Sequence, residues 1–183
     1  MNDRESRKSS FIKDIIGCLI SPRSSIKSIM RRLSLKKSTA LILMIAIIAA
    51  LASFNYTSKL PARAPGQGSP ITAEQFAQVL RTLSAMTALI NIFTTWVISS
   101  ALIHGFSKIL RGKGSFRNML TLAGYTSAPL LIQQILRLAD SFTISQEALE
   151  VAISLQMPVI AEAALGIFTI FGIWSMILLI IAA

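Results

Sequence analysis

Apolar runs of helical length alternate with short polar segments along this chain, and that alternation predicts its elements. Residues 1–9 are polar and predict no regular structure. From there Phe11, Ile12, Ile15, Ile16, Leu19 and Ile20 recur at the spacing of one helical face. Ser21-Pro22 ends that helix and opens a second, with Ser21 placed as N-cap and Pro22 at the first helical position. In the second helix Ile26, Ile29, Met30 and Leu33 line one side, and Arg23, Lys27, Arg31 and Arg32 line the rest. An apolar stripe with a basic back suits a helix lying in a membrane interface. The rival reading is a helix packed on a soluble partner.

The long runs follow. Residues 38–57 are nearly pure Ala, Ile, Leu and Met, enough to cross about 30 Å of hydrocarbon. A linker rich in Pro and Gly comes next. Thr72 and Gln75 then fit a capping box, so a helix begins near Ala73 and continues as a second span over 84–106. Asn91, Thr94, Thr95, Ser99, Ser100 and His104 make that span the most polar, and such side chains are expected to face neighbouring helices. A third span is expected over 118–139, kinked by Pro129, with Gly124 and Ala128 admitting a close neighbour. Residues 137–150 read as a polar loop. A fourth span is expected over 159–181, divided at Pro158 from a short interfacial piece.

Between the second and third runs lies the stretch from His104 to Pro129, around which the chain is organised. Lys108, Arg111, Lys113 and Arg117 carry its charge without an intervening acid, and Gly112 and Gly114 allow a sharp turn. The predicted architecture is therefore all-α: a polytopic helical membrane protein of four spans over 38–183, preceded by a basic segment, 1–37, with amphipathic helices.

Composition supports hydrocarbon as the solvent. Of the 183 residues, 53% are hydrophobic and 14% charged, against about a quarter charged in ordinary soluble domains. The net charge of +10 raises the possibility of nucleic-acid binding, but its distribution argues for membrane topology. Ten of the eighteen basic residues precede Ser38 and four lie in the central turn, whereas 140–150 holds only Asp140, Glu147 and Glu150. This bias predicts a cytoplasmic N-terminus and central turn, with anionic lipid as a natural counterpart and no nucleic acid. The charged leader is too long for a signal peptide. No charge follows Glu162, so the last span lacks an inner anchor and a truncated chain is expected.

Candidate chemistry is sparse. Gly112-Lys113-Gly114-Ser115 fails as a phosphate loop, because Gly follows the lysine where Ser or Thr is needed and no strand precedes it. One histidine and one cysteine exclude histidine-rich and multi-cysteine metal sites. No catalytic set, cofactor or metal is expected. Glu162 is the single acid inside an expected span, and a pair with Arg137 is sterically plausible. Asn91, His104, Gln133 and Gln134 complete the intramembrane polar candidates, which would suit a small transporter or channel subunit. The basic residues would instead suit an adaptor, or a lipid-shaping protein using Ile26, Ile29 and Leu33.

Three pieces carry a family likeness, in order: Leu19-Ile20-Ser21-Pro22-Arg23 with its amphipathic helix; the turn ending Gly112-Lys113-Gly114-Ser115-Phe116; and Gly124-Tyr125 followed by Pro129. Ile173-Trp174 also fits. On these the chain resembles the Yip domain family, multi-pass membrane proteins named for interaction with Ypt/Rab GTPases. The resemblance implies a cytoplasmic N-terminal segment and five spans, one more than is counted here, with a loop and last helix after the tryptophan-bearing span. It implies a small GTPase or other peripheral protein as partner and a role in vesicle trafficking among eukaryotic relatives. Association with itself or with another membrane protein is expected as well. It also makes Gly112, Gly114, Gly124, Tyr125 and Pro129 positions of the turn and of helix packing.

Overall fold

The computed structural model describes residues 10–62, 70–149 and 170–182. Within them the chain is helical without strands: α1 (Ser10–Ile20), α2 (Pro22–Met30), α3 (Leu35–Ser58), α4 (Ala73–Ile109), α5 (Phe116–Thr126), α6 (Ala128–Thr143) and α7 (Ile170–Ala182). Pro158, Glu162 and the first part of the expected fourth span lie outside the described residues, so the Arg137–Glu162 pair does too.

Among the described residues two helices, α3 and α4, are long and apolar enough to cross a membrane. Their composition explains them: uninterrupted Ala, Ile, Leu and Met in α3, and in α4 a capping box that starts the helix. Gln75 N donates to Thr72 Oγ1 at 3.2 Å and Thr72 N to Gln75 Oε1 at 3.0 Å, which satisfies two of the otherwise orphaned amides. The pair is antiparallel, fastened where the Thr57 hydroxyl donates to Ser84 Oγ at 2.8 Å.

The expected third span is two helices. α5 ends and α6 begins at Ser127, with Pro129 in the first turn of α6, where its missing N–H costs nothing. The two parts run differently. Phe116 at the start of α5 packs edge-on to His104, centroids 5.7 Å apart, and Trp96 Nε1 donates to the Leu120 carbonyl at 3.0 Å. At the other end Gly124 lies against Ser38 of α3. Counting about 1.5 Å per residue from the Thr57–Ser84 fastening, Ser38 is level with Ile103, beside His104. The 11 residues of α5 thus carry the chain mainly sideways, from α4 to α3. α6 then runs beside α3 to its far end, where Asn55 Nδ2 donates to Ser141 Oγ at 3.4 Å. α6 also continues through Thr143, so Arg137 and Asp140 stand on a helix and not in the expected loop.

One apolar core joins these pieces. Ile15 and Cys18 of α1, Ile26 and Ile29 of α2, Leu41, Ile42 and Ile45 of α3, Trp96 of α4 and Leu122, Tyr125 and Ala128 around the α5–α6 junction form a single cluster. This corrects the expectation for α2. Its stripe was assigned to a membrane interface, yet Ile26 and Ile29 are 3% and 2% exposed inside the protein, while Met30 remains outside. Burial against this chain's own helices removes the same apolar area from water that lipid would.

Candidate functional site: the basic end of the bundle

α4 emerges from the packed helices at a turn that is both basic and apolar. Lys108, Arg111, Lys113 and Arg117 are all exposed, and so are Phe106, Ile109 and Leu110, the last two at 77% and 82%. The end of α4 has a defined geometry. Gly112 N donates back to the Ser107 carbonyl at 2.7 Å and Arg111 N to the Lys108 carbonyl at 3.0 Å, the paired bonds of a Schellman cap. The residue that takes the left-handed conformation is Arg111, with φ 63°, not a glycine of the turn. Gly112 serves a different need. A Cβ there would collide with Ser107 Oγ and come within 2.8 Å of its carbonyl oxygen. Nothing lies within 4 Å of a Cβ placed on Gly114. The sequence pattern located the turn but assigned its unusual backbone to the wrong residues, since glycine is the default for positive φ.

Beyond the turn, Ser115 caps α5 by accepting from Asn118 N at 3.3 Å. At the opposite end of α5, Tyr125 is 2% exposed and within electrostatic reach of Asp14, Cys18 and Arg32. Arg32 reaches Asp14 at 3.5 Å and Ser28 Oγ at 2.8 Å, which fastens α2 to α1. Lys27 and Arg31 point outward, and no side-chain position is described for Arg23. Cys18 is fully buried, and burial first, then Asp14, pushes its thiol up to about 11. Such a thiol is protonated at neutral pH and shielded, the opposite of an acylation site.

Among the described residues the polar candidates do not form one constellation. Asn91, Thr94 and Thr95 are exposed on α4, against the expectation that they face neighbours, with Thr95 Oγ1 at 3.5 Å from Asn91 Oδ1. Ser100 does turn inward, donating to the Trp96 carbonyl at 2.6 Å. Gln133 is half-buried, whereas Gln134 is buried with its Oε1 unpartnered among the described residues. Arg137 stands 5.9 Å over the Tyr56 ring. Tyr56 donates to Asp140 Oδ2 at 2.6 Å, and Lys59 Nζ donates to the Phe142 and Ile144 carbonyls at 3.1 and 2.7 Å. That cluster, which the sequence did not point to, ties the ends of α3 and α6 together. No group of acids, His and Cys suited to a metal occurs among the described residues.

The turn, the α1–α2 pair and the junction at Pro129 are the segments whose residues suggested a family, and a model of the Yip1 domain matches residues 16–183. The chain belongs to the Yip1 domain family. It is accordingly a membrane protein, and the Yip1 domain takes in everything from α1 at Ile16 to the end of α7. An uncharacterized protein of Methanocaldococcus jannaschii is 24% identical over 132 residues, 72% of this chain and 90% of that relative. No solved structure matches. Among the described residues of this Yip1 domain, the α4–α5 turn brings exposed charge and exposed apolar side chains together.

Proposed function

We propose that this Yip1 domain protein is an integral membrane adaptor, with its basic end in the cytoplasm and the α4–α5 turn as the seat of a peripheral protein such as a small GTPase. The orientation follows from charge: residues 1–37 and the turn hold ten and four of the eighteen basic residues, and short basic segments stay cytoplasmic. α3, α4 and α6 are then three of the four spans, and α7 belongs to the fourth. The turn offers what an interface hot spot needs, apolar area from Ile109 and Leu110 beside Arg111 and Lys113.

One observation carries the reading. A non-glycine residue in the left-handed conformation costs about 1–2 kcal/mol, and Arg111 occupies the Schellman position where glycine would remove that cost. Strain kept at an exposed arginine supports a role for its side chain. The experiment compares Arg111→Gly with the unsubstituted protein by cross-linking in native membranes and mass spectrometry. Arg111→Gly should raise thermal stability in detergent while the captured cytoplasmic partner is lost, as it should be with Lys113→Gln and Arg117→Gln. Capture that is unchanged in all three variants would refute the adaptor.

A further inference from the structure

We infer that α1 is a membrane-surface anchor whose Ile12, Ile16 and Ile20 enter the cytoplasmic leaflet, with Lys13 beside them meeting the anionic lipid headgroups. The inference rests on the orientation proposed above and assigns the anchoring to a helix face that the sequence pattern had not separated from the rest.

α1 has three sides. Ile15 and Cys18 go into the common core. A second side meets α2, where Gly17 abuts Ser25 and Asp14 pairs with Arg32 at 3.5 Å. The third bears Ile12, Ile16 and Ile20, one helical turn apart, at 66%, 48% and 77% exposure. With about 100° between successive residues, that ridge points away from α2 and sideways from the core. It is a straight apolar edge without a neighbour among the described residues.

Two features say what covers it. The first is position. α1 and α2 share a core with the opening turns of α3 and with the α5–α6 junction, so the ridge lies at the level where α3 starts its apolar run. At that level a sideways-facing edge meets lipid headgroups and the upper acyl chains. The second is charge. Asp14, the acid of the pair, is held against Arg32, while Lys13, Lys27 and Arg31 are exposed. Of these Lys13 borders the ridge on α1 itself, about 60° around the helix from its centre line, and an apolar edge with a lysine at its border suits an anionic leaflet.

The test uses the full chain with Cys18→Ala and single cysteines at positions 12, 16, 20, 27 and 43, each carrying a polarity-sensitive fluorophore, in vesicles of phosphatidylcholine and phosphatidylserine. Position 43 belongs to the exposed apolar surface of α3 and reports the span itself. Labels at 12, 16 and 20 should be quenched by brominated lipid and several-fold less by aqueous iodide than the label at 27. Omitting phosphatidylserine should weaken lipid quenching at 12, 16 and 20 but not at 43. Quenching at 43 with iodide-accessible labels on α1 would overturn the anchor and leave the membrane reading standing. Shielding of the α1 labels from both quenchers would mean a protein covers the ridge, which also overturns it. Absence of lipid quenching at 43 would instead remove the span on which the inference rests.

Discussion

Gly124 and Ser38 meet where two helices come closest. A Cβ on Gly124 would strike Ser38 Oγ and stand 3.0 Å from Ser38 Cβ. Ser38 is fully buried, and its hydroxyl has no partner among the described residues. The two substitutions should therefore act in opposite directions. Gly124→Val overpacks the contact and should cost about 1–3 kcal/mol, read as a lower Tm in detergent. Ser38→Ala removes an unsatisfied polar atom and should be neutral or stabilising. In the double variant with Gly124→Ala, the smaller residue at 38 should recover part of the loss. A Tm unchanged by Gly124→Val would show that α5 does not press on α3. Gly124 was legible in the sequence as a small residue within an apolar run, because small residues in such runs permit close approach. Its partner was not, since nothing local to Ser38 distinguishes it from the other serines before the span. Arg111 was harder still. Its conformation goes with the bonds that its own N–H and that of Gly112 donate to the Lys108 and Ser107 carbonyls, at a position where propensity would put glycine.

At the scale of elements, the long helices were readable and the way they are broken and joined was not. The composition of α3 and the capping box of α4 are local signals, and both helices form where those signals lie. The apolar stripe of α2 is also local, but whether lipid or protein covers it depends on Tyr125 and its neighbours, nearly a hundred residues later in the chain. α5 was hidden for a similar reason. Its residues suit a span as well as a crosspiece, and only the contacts with His104 and Ser38 separate the two. The join between α3 and α6 gives a prediction of its own. Lys59 Nζ supplies donors to two carbonyls at the end of α6, a favourable place for a cation. Lys59→Met should fray the last turn of α6, raising amide hydrogen exchange at residues 140–144 while exchange in the middle of α3 stays the same. Equal exchange in both proteins at 140–144 would show the lysine to be dispensable.

For the whole molecule, charge and packing agree on two unlike ends. One holds α1, α2, the basic turn and α5; the other holds Tyr56, Lys59 and Asp140, where α3 and α6 end. Cysteines placed at Lys113 and Glu74, both exposed, should report opposite sides of the membrane to an impermeant maleimide applied to sealed vesicles. Labelling of both from one side would break the proposed topology. The packing of α1 and α2 under the α5–α6 junction also orders events during synthesis. The ribosome releases Ile15, Cys18, Ile26 and Ile29 about a hundred residues before Tyr125 and Ala128, yet the surface that covers them is completed only when those later residues have been laid beside α3. Helices α1 and α2 thus leave the ribosome well before the residues that cover them, and until then their core-facing sides stay open.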